Sequence, residues 1–393
     1  MDNNISINVE RIPKELKLLL DLIKVQNEEF TPGNREEQFR NINWDLTIKL
    51  AKFHRLYPFL YPKLKDVEFI PSFVVQELSE EYQKNTFQML YLCAKMEHVS
   101  KLFIESEIPV IFLKGPALAK DLYGDISLRT SSDLDVLVQV NRVEEVENLL
   151  LLHGFEKKDN IRTVLGDWKW RYYHNVFFHP QKNIKLEIHW RLNPGPGKEP
   201  SFHELWDRKR QSFLISCPVY MLGREDLFLF LVSHGARHGW FRLRWLMDIH
   251  QMMKQDISWK KVSKLINSFH NPAVIGQAMI LVSYLLGTHV PKEMEHIALN
   301  KRSRRLAQAA IFYFEKMVNP HTEPIPDYVS NYNKRYLFSI KSINHKFLFT
   351  LSLFYPYPED AEALPLPTKL HFLYFPLRPL IWVWRKTRKH AIS

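Results

Sequence analysis

At 393 residues the chain is too long for one small domain, and 46% hydrophobic with 13% aromatic residues gives it ample core material, which excludes a disordered polypeptide. The balance of 54 Lys+Arg against 43 Asp+Glu leaves a formal charge of +11 and a pI near 9.3, favouring nucleotides, nucleic acid or an anionic membrane surface as partners. Cys93 and Cys217 match no metal or disulfide spacing, no stretch nears the roughly 18 uninterrupted apolar residues of a membrane span, and "MDNNISINVERIPKELK" has no apolar signal-peptide core, so a soluble cytoplasmic protein is expected.

Glycine is scarce, at 12 residues, and amphipathic stretches dominate, so the chain should be mainly helical. "PKELKLLLDLIKV" opens on Pro13 and carries apolar residues at helical spacing, and further helical patterns run over about 36–60 and 72–106. The texture changes at Ile108. "IPVIFLKG" is a short apolar run, followed by a helical stretch at 116–123, "DLDVLVQV" as a buried strand, and "VEEVENLLLLHGF" as a helix closed by Gly154. "NVFFHP" and "IKLEIHWRL" read as a hairpin through "PQKN". From about 203 to 318 the pattern is helical again, and Pro-rich stretches at 320–327 and 355–379 precede a basic end. Four segments follow: a helical segment at 1–100, an α/β core at 101–200, a helical domain at 201–330 and a C-terminal segment with a basic tail at 331–393.

The chemistry should lie in the α/β core. Alternate strand residues share a face, so Asp133 and Asp135 project together while Leu134 and Val136 turn inward. Two like charges so close need either solvent at a turn or a cation between them. In the second hairpin strand Lys185, Glu187, His189 and Arg191 share one face, and if the strands are neighbours Glu187 completes a three-carboxylate cluster. Such a cluster suits a pair of Mg²⁺ ions, whose open positions take phosphate oxygens and water. The helix start at Gly115, after "FLKG", offers backbone N–H groups to a phosphate, and Lys114 and Arg129 add positive charge.

The segment "LKGPALAKDLYGDISLRTSSDLDVLV" with the later "LEIHW" resembles the nucleotidyltransferase superfamily of DNA polymerase β fold, specifically over 108–192 and more loosely over 227–250. It is similar to an uncharacterised bacterial branch with a Lys-Gly motif and Arg-x-x-Ser-Asp-Leu-Asp. Lys114-Gly115-Pro116 replaces the Gly-Ser pair of the wider superfamily, with a longer gap before the aspartates. The resemblance implies an α+β fold, a small mixed sheet flanked by N- and C-terminal helices. It further implies that Asp133 and Asp135 hold two Mg²⁺ ions (Mn²⁺ as an alternative) and that Glu187 completes the catalytic metal site. Gly115 would cradle the triphosphate of an NTP, supported by Lys114, Arg129 and Ser132. The expected activity is transfer of a nucleoside monophosphate from an NTP to an acceptor: a small molecule, a peptide or protein, or an RNA end, tRNA included.

Two other classes stay open. A metal-dependent glycosyltransferase also uses Asp-x-Asp, although the first hundred residues read as helices rather than the nucleotide-binding unit such enzymes carry. A non-catalytic nucleotide-binding scaffold would not need all three carboxylates. His234 and His238 stand four apart on one helix face, but Gly235 occupies the position where a metalloprotease motif has Glu; structural histidines, an acceptor-binding role shared with Arg244 or Asp248, and a zinc site are the readings. "NPGPGKEP" lacks P-loop spacing and is a turn. At 371–390 an aromatic stretch with a basic end either packs on the helical domain or contacts a membrane surface or partner, and Pro376 and Pro379 argue against one straight helix there.

Overall fold

The computed structural model describes residues 7–24, 39, 41–158, 163–320 and 322–390. The start of the chain used in the signal-peptide reading, at 1–6, and the first residues of the helical pattern expected from 36 lie outside them.

The protein is α+β and mostly helical, with a seven-stranded mixed sheet. The strands are β1 (Ile111–Phe112), β2 (Leu134–Leu137), β3 (Glu156–Lys157), β4 (His174–His179), β5 (Ile184–His189), β6 (Arg210–Ser212) and β7 (Val219–Met221), in the order β3-β4-β5-β2-β1-β7-β6. The chain divides into two compact units, 1–135 with 200–340 and 136–199 with 341–393. This division groups segments distant in sequence, where a reading of pattern alone can only cut the chain in series.

In the first unit the Ser72–Glu105 helix runs 34 residues because nothing within it breaks the backbone; it contains neither Gly nor Pro. Val74, Leu78, Met89, Leu92, Met96, Val99 and Phe103 recur at helical spacing and are buried, the apolar stripe that packs it on its neighbours. β1 lies parallel to β7 with Phe112 opposite Met221, and β7 pairs antiparallel with β6. These two three-residue strands correct the helical reading of 203–318: they are too short to show a periodicity of their own. The Leu113 N–H donates to the Asp135 carbonyl at 2.9 Å, which ties the end of β1 to the aspartate segment.

In the second unit β4 and β5 form the expected hairpin through residues 180–183, with His179 opposite Ile184 and His174 opposite His189. β3 adds antiparallel to β4. Tyr374 and Ile381 of the C-terminal helix pack with Val164 in a small buried cluster. That helix runs over Tyr374–His390 with Pro379 inside it, after a separate 3-10 turn at Thr368–Leu373. The proline costs the helix one i→i−4 hydrogen bond without ending it. Among the described residues no helix is long and apolar enough to cross a membrane.

Candidate active site

Lys114 and Gly115 end the β1 segment, and Pro116 starts the helix Pro116–Tyr123. Gly115 has φ +93° and ψ −155°, a conformation open essentially to glycine alone, and it turns the chain from strand to helix in one residue. A Cβ placed there would meet the Leu134 side chain at 3.6 Å and the Asp133 carbonyl at 3.8 Å. The Lys-Gly turn therefore lies directly against the Asp133–Asp135 segment.

Asp135 is 1% exposed, and its Oδ1 accepts the Lys114 ammonium at 2.9 Å. The lysine ammonium offsets the cost of burying this carboxylate. Asp133, two residues earlier, is half-buried, and Ser132 is exposed. The pair thus presents hard oxygen donors at a strand entrance, a donor set that fits Mg²⁺ or Mn²⁺.

The loop leading to these aspartates is clamped by helices of the same unit. Arg129 is buried, and its Nε and Nη2 donate to Asp248 Oδ1 and Oδ2 at 2.9 and 3.0 Å. Tyr123 donates its hydroxyl to Asp248 Oδ1 at 2.9 Å, so one carboxylate serves three donors. Burial lowers the Arg129 pKa, and the Asp248 carboxylate more than offsets this, leaving it raised. Arg244 donates through Nη1 to the carbonyl and the hydroxyl of Thr130, the latter at 2.8 Å. Further back, Asn85 donates to the Ser127 carbonyl at 2.7 Å, and Tyr82 shares a hydrogen bond with the Ser127 hydroxyl at 2.8 Å. Arg129 therefore faces inward and braces the loop rather than reaching toward solvent.

A set of arginines gathers round the aspartates. Arg55 is lowered by burial while the Asp133 charge acts against that, and Arg242 is pushed down to about 10 by burial and by the neighbouring Arg55. Arg244 lies well below the ordinary arginine range because it is desolvated and faces Arg129 and Arg55. Among the described residues no carboxylate is within ion-pair distance of Arg55 or Arg242. Four guanidinium groups thus crowd a region where Asp248 pairs with one of them. Arg55 and Arg242 carried no signal along the sequence, since neither belongs to a motif.

Arg242 and Arg244 reach this place through "SHGARHGW". The helix Arg224–Arg237 ends, and Gly239 (φ +63°) and Trp240 (φ +59°) make a left-handed turn into the helix Leu243–Met253. Gly235 is required because a Cβ there would fall 2.2 Å from the Trp240 ring. His234 and His238 lie on this corner with ring centroids 4.6 Å apart, and His238 stacks on Trp245. Burial, then the Lys114 charge, pushes His234 well below the usual histidine range. Among the described residues no third ligand joins the two rings into a metal cluster.

Glu187 belongs to the second unit. Its Oε1 accepts the Lys185 ammonium at 2.8 Å, and its Oε2 lies 3.6 Å from His189 Nε2 and 3.9 Å from His174 Nε2. His189 was expected on this face. His174 was missed, although the four-residue hairpin connection fixes it opposite His189. Arg191 lies beyond the strand, where it bonds the Asn193 and Gly197 carbonyls and pairs with Glu199 at 3.3 Å.

A protein-family model described as "Uncharacterised nucleotidyltransferase" matches residues 40–287. No curated protein and no solved structure matches the chain.

Proposed function

The chain belongs to this family of uncharacterised nucleotidyltransferases, a transferase family, and on that premise we propose that it moves a nucleoside monophosphate from an NTP to an acceptor hydroxyl or phosphate. The observation that carries the reading is the Asp133–Asp135 pair set among more guanidinium charge than the nearby carboxylates balance. Arg55, with only the field of Asp133 among carboxylates to offset it, and Arg242, with no carboxylate in ion-pair distance among the described residues, leave positive charge uncompensated. A polyphosphate supplies the missing negative charge, and guanidinium forks match phosphate oxygens.

In this reading Asp133 and Asp135 hold the divalent ion, and Glu187 is assigned the third carboxylate from its place in the "LEIHW" motif. Bound Mg²⁺ supplies neutralisation of phosphate charge and a more acidic acceptor hydroxyl. The residues do the rest by position. Gly115 lets the backbone approach the phosphates, because no side chain stands between them and the turn. Lys114, paired with Asp135, would support the triphosphate beside Gly115. Arg55 and Arg242 draw the triphosphate in, while Arg129 and Arg244 hold the loop 129–132 still. The acceptor oxygen forms its bond to the α-phosphorus as the bond to pyrophosphate breaks, and the acceptor's proton passes to solvent.

Thermal unfolding of the wild type and of Asp133→Asn/Asp135→Asn with each of four NTPs, with and without Mg²⁺, tests this. A ligand at about a hundred times its Kd stabilises the fold by roughly 2.7 kcal/mol, a rise of a few degrees. The expected result is a rise that needs Mg²⁺ and disappears in the double variant. A rise of the same size in the double variant, or none with any NTP, overturns the assignment.

A further inference from the structure

We propose that His174, Glu187 and His189 form a binding site for a nitrogen-seeking divalent metal ion, of the Zn²⁺ type, in place of the all-oxygen Mg²⁺ site that a carboxylate at Glu187 suggests. The three side chains share one face of the β4–β5 hairpin. His174 stands directly opposite His189, and Glu187 lies two residues before His189. Their ligand atoms all lie within 4.8 Å of one another.

The His189 and His174 Nε2 atoms lie 3.6 and 3.9 Å from the same carboxylate oxygen, Glu187 Oε2. Donors about 2.1 Å from a tetrahedral ion stand about 3.4 Å apart, close to what is seen. The two rings are nearly parallel, 25° between planes with centroids 5.0 Å apart, so neither ring blocks the other's nitrogen. Tyr173 packs edge-on against His174 and tilted against His189, restricting both rings.

Glu187 is divided between two roles. Its Oε1 is held by Lys185 at 2.8 Å, while Oε2 is the oxygen turned to the histidines. Lys185 is 43% exposed, so its ammonium can swing toward water as an ion enters. Two imidazoles and one carboxylate suit Zn²⁺ over Mg²⁺, which seeks oxygen and keeps its waters. Three protein donors leave one tetrahedral position for water or a phosphate oxygen.

The inference takes Glu187 out of the third-carboxylate role proposed above and leaves the Asp133–Asp135 assignment untouched; its test is metal binding alone. The full chain, stripped with a chelator, is dialysed against micromolar Zn²⁺ in excess Mg²⁺, and bound zinc is counted per chain. Co²⁺ loading adds a visible absorption that reports tetrahedral nitrogen coordination. Wild type should hold one zinc, and His174→Gln and His189→Gln should each weaken it about a hundredfold or more while melting cooperatively. His174 is the less buried of the two, so its variant stays informative if His189→Gln fails to fold. Asp133→Asn/Asp135→Asn should keep the zinc, whatever its NTP response. No zinc bound by the wild type, zinc retained in His174→Gln, or zinc lost in the aspartate variant would each overturn the site.

Discussion

The clamp on the aspartate loop makes a quantitative prediction. Asp248→Ala removes the acceptor of three hydrogen bonds, two from the buried Arg129 guanidinium and one from Tyr123. Arg129 and Asp248 side chains are each 1% exposed, so water cannot replace the lost partner. Leaving one charge of a buried pair uncompensated costs about 3–5 kcal/mol, and the orphaned Tyr123 hydroxyl adds about 1 kcal/mol. Arg129→Met should be similarly costly, since it strands Asp248. Arg129→Met/Asp248→Leu removes both charges and should cost far less than the two singles together, with a coupling on the order of 3 kcal/mol. Urea unfolding of the four proteins measures this, provided the slopes agree. Tyr123→Phe, at about 1 kcal/mol, isolates the hydroxyl. If the double variant loses the sum of the single losses to within about 0.5 kcal/mol, the pair is not coupled and the clamp argument fails.

Gly115→Ala should cost about 1–3 kcal/mol from its backbone conformation rather than from a clash, because the added Cβ has ordinary contacts; an unchanged melting temperature would show that the turn tolerates a side chain. Stability should also fall below neutral pH. His54 is fully buried and its pKa is lowered to about 3, mainly by desolvation, so between about pH 6.5 and that value the unfolded chain binds a proton that the folded chain does not. The stabilisation is complete above the unfolded pKa and drains away by about 1.4 kcal/mol per pH unit as pH falls. His250 and His270, both lowered to about 4 by burial, add to the slope. Urea midpoints from pH 7 to pH 4.5 should show His54→Gln with a shallower decline than wild type, and parallel curves would refute the assignment.

What the sequence revealed and what it hid divide along one physical line. Local chemistry was legible: the Pro116–Tyr123 helix follows from a proline at its first position, and the long helix from 34 residues without a breaker. The β4–β5 hairpin follows from alternation and a short connection, and its register is set by the same connection. Four linking residues pair His179 with Ile184, and counting back pairs His174 with His189. Strand alternation and that count together bring two imidazoles beside Glu187. Pairings between distant residues had no such route. Asp248 lies 119 residues beyond Arg129, and its carboxylate decides whether that arginine faces a phosphate or braces a loop.

Arg129 stands in the motif and pairs with Asp248, while Arg55 and Arg242, outside it, have no carboxylate within ion-pair distance among the described residues. A motif is read as a set of ligands, yet a fold spends some of those residues on holding the others in place. Which arginine meets the phosphate is decided by where the balancing carboxylate lands, a property of packing and not of spacing. Under the proposed function, electrostatic balance rather than motif membership would make Arg55 and Arg242 the stronger candidates for the triphosphate and leave Arg129 to brace the loop before the aspartates.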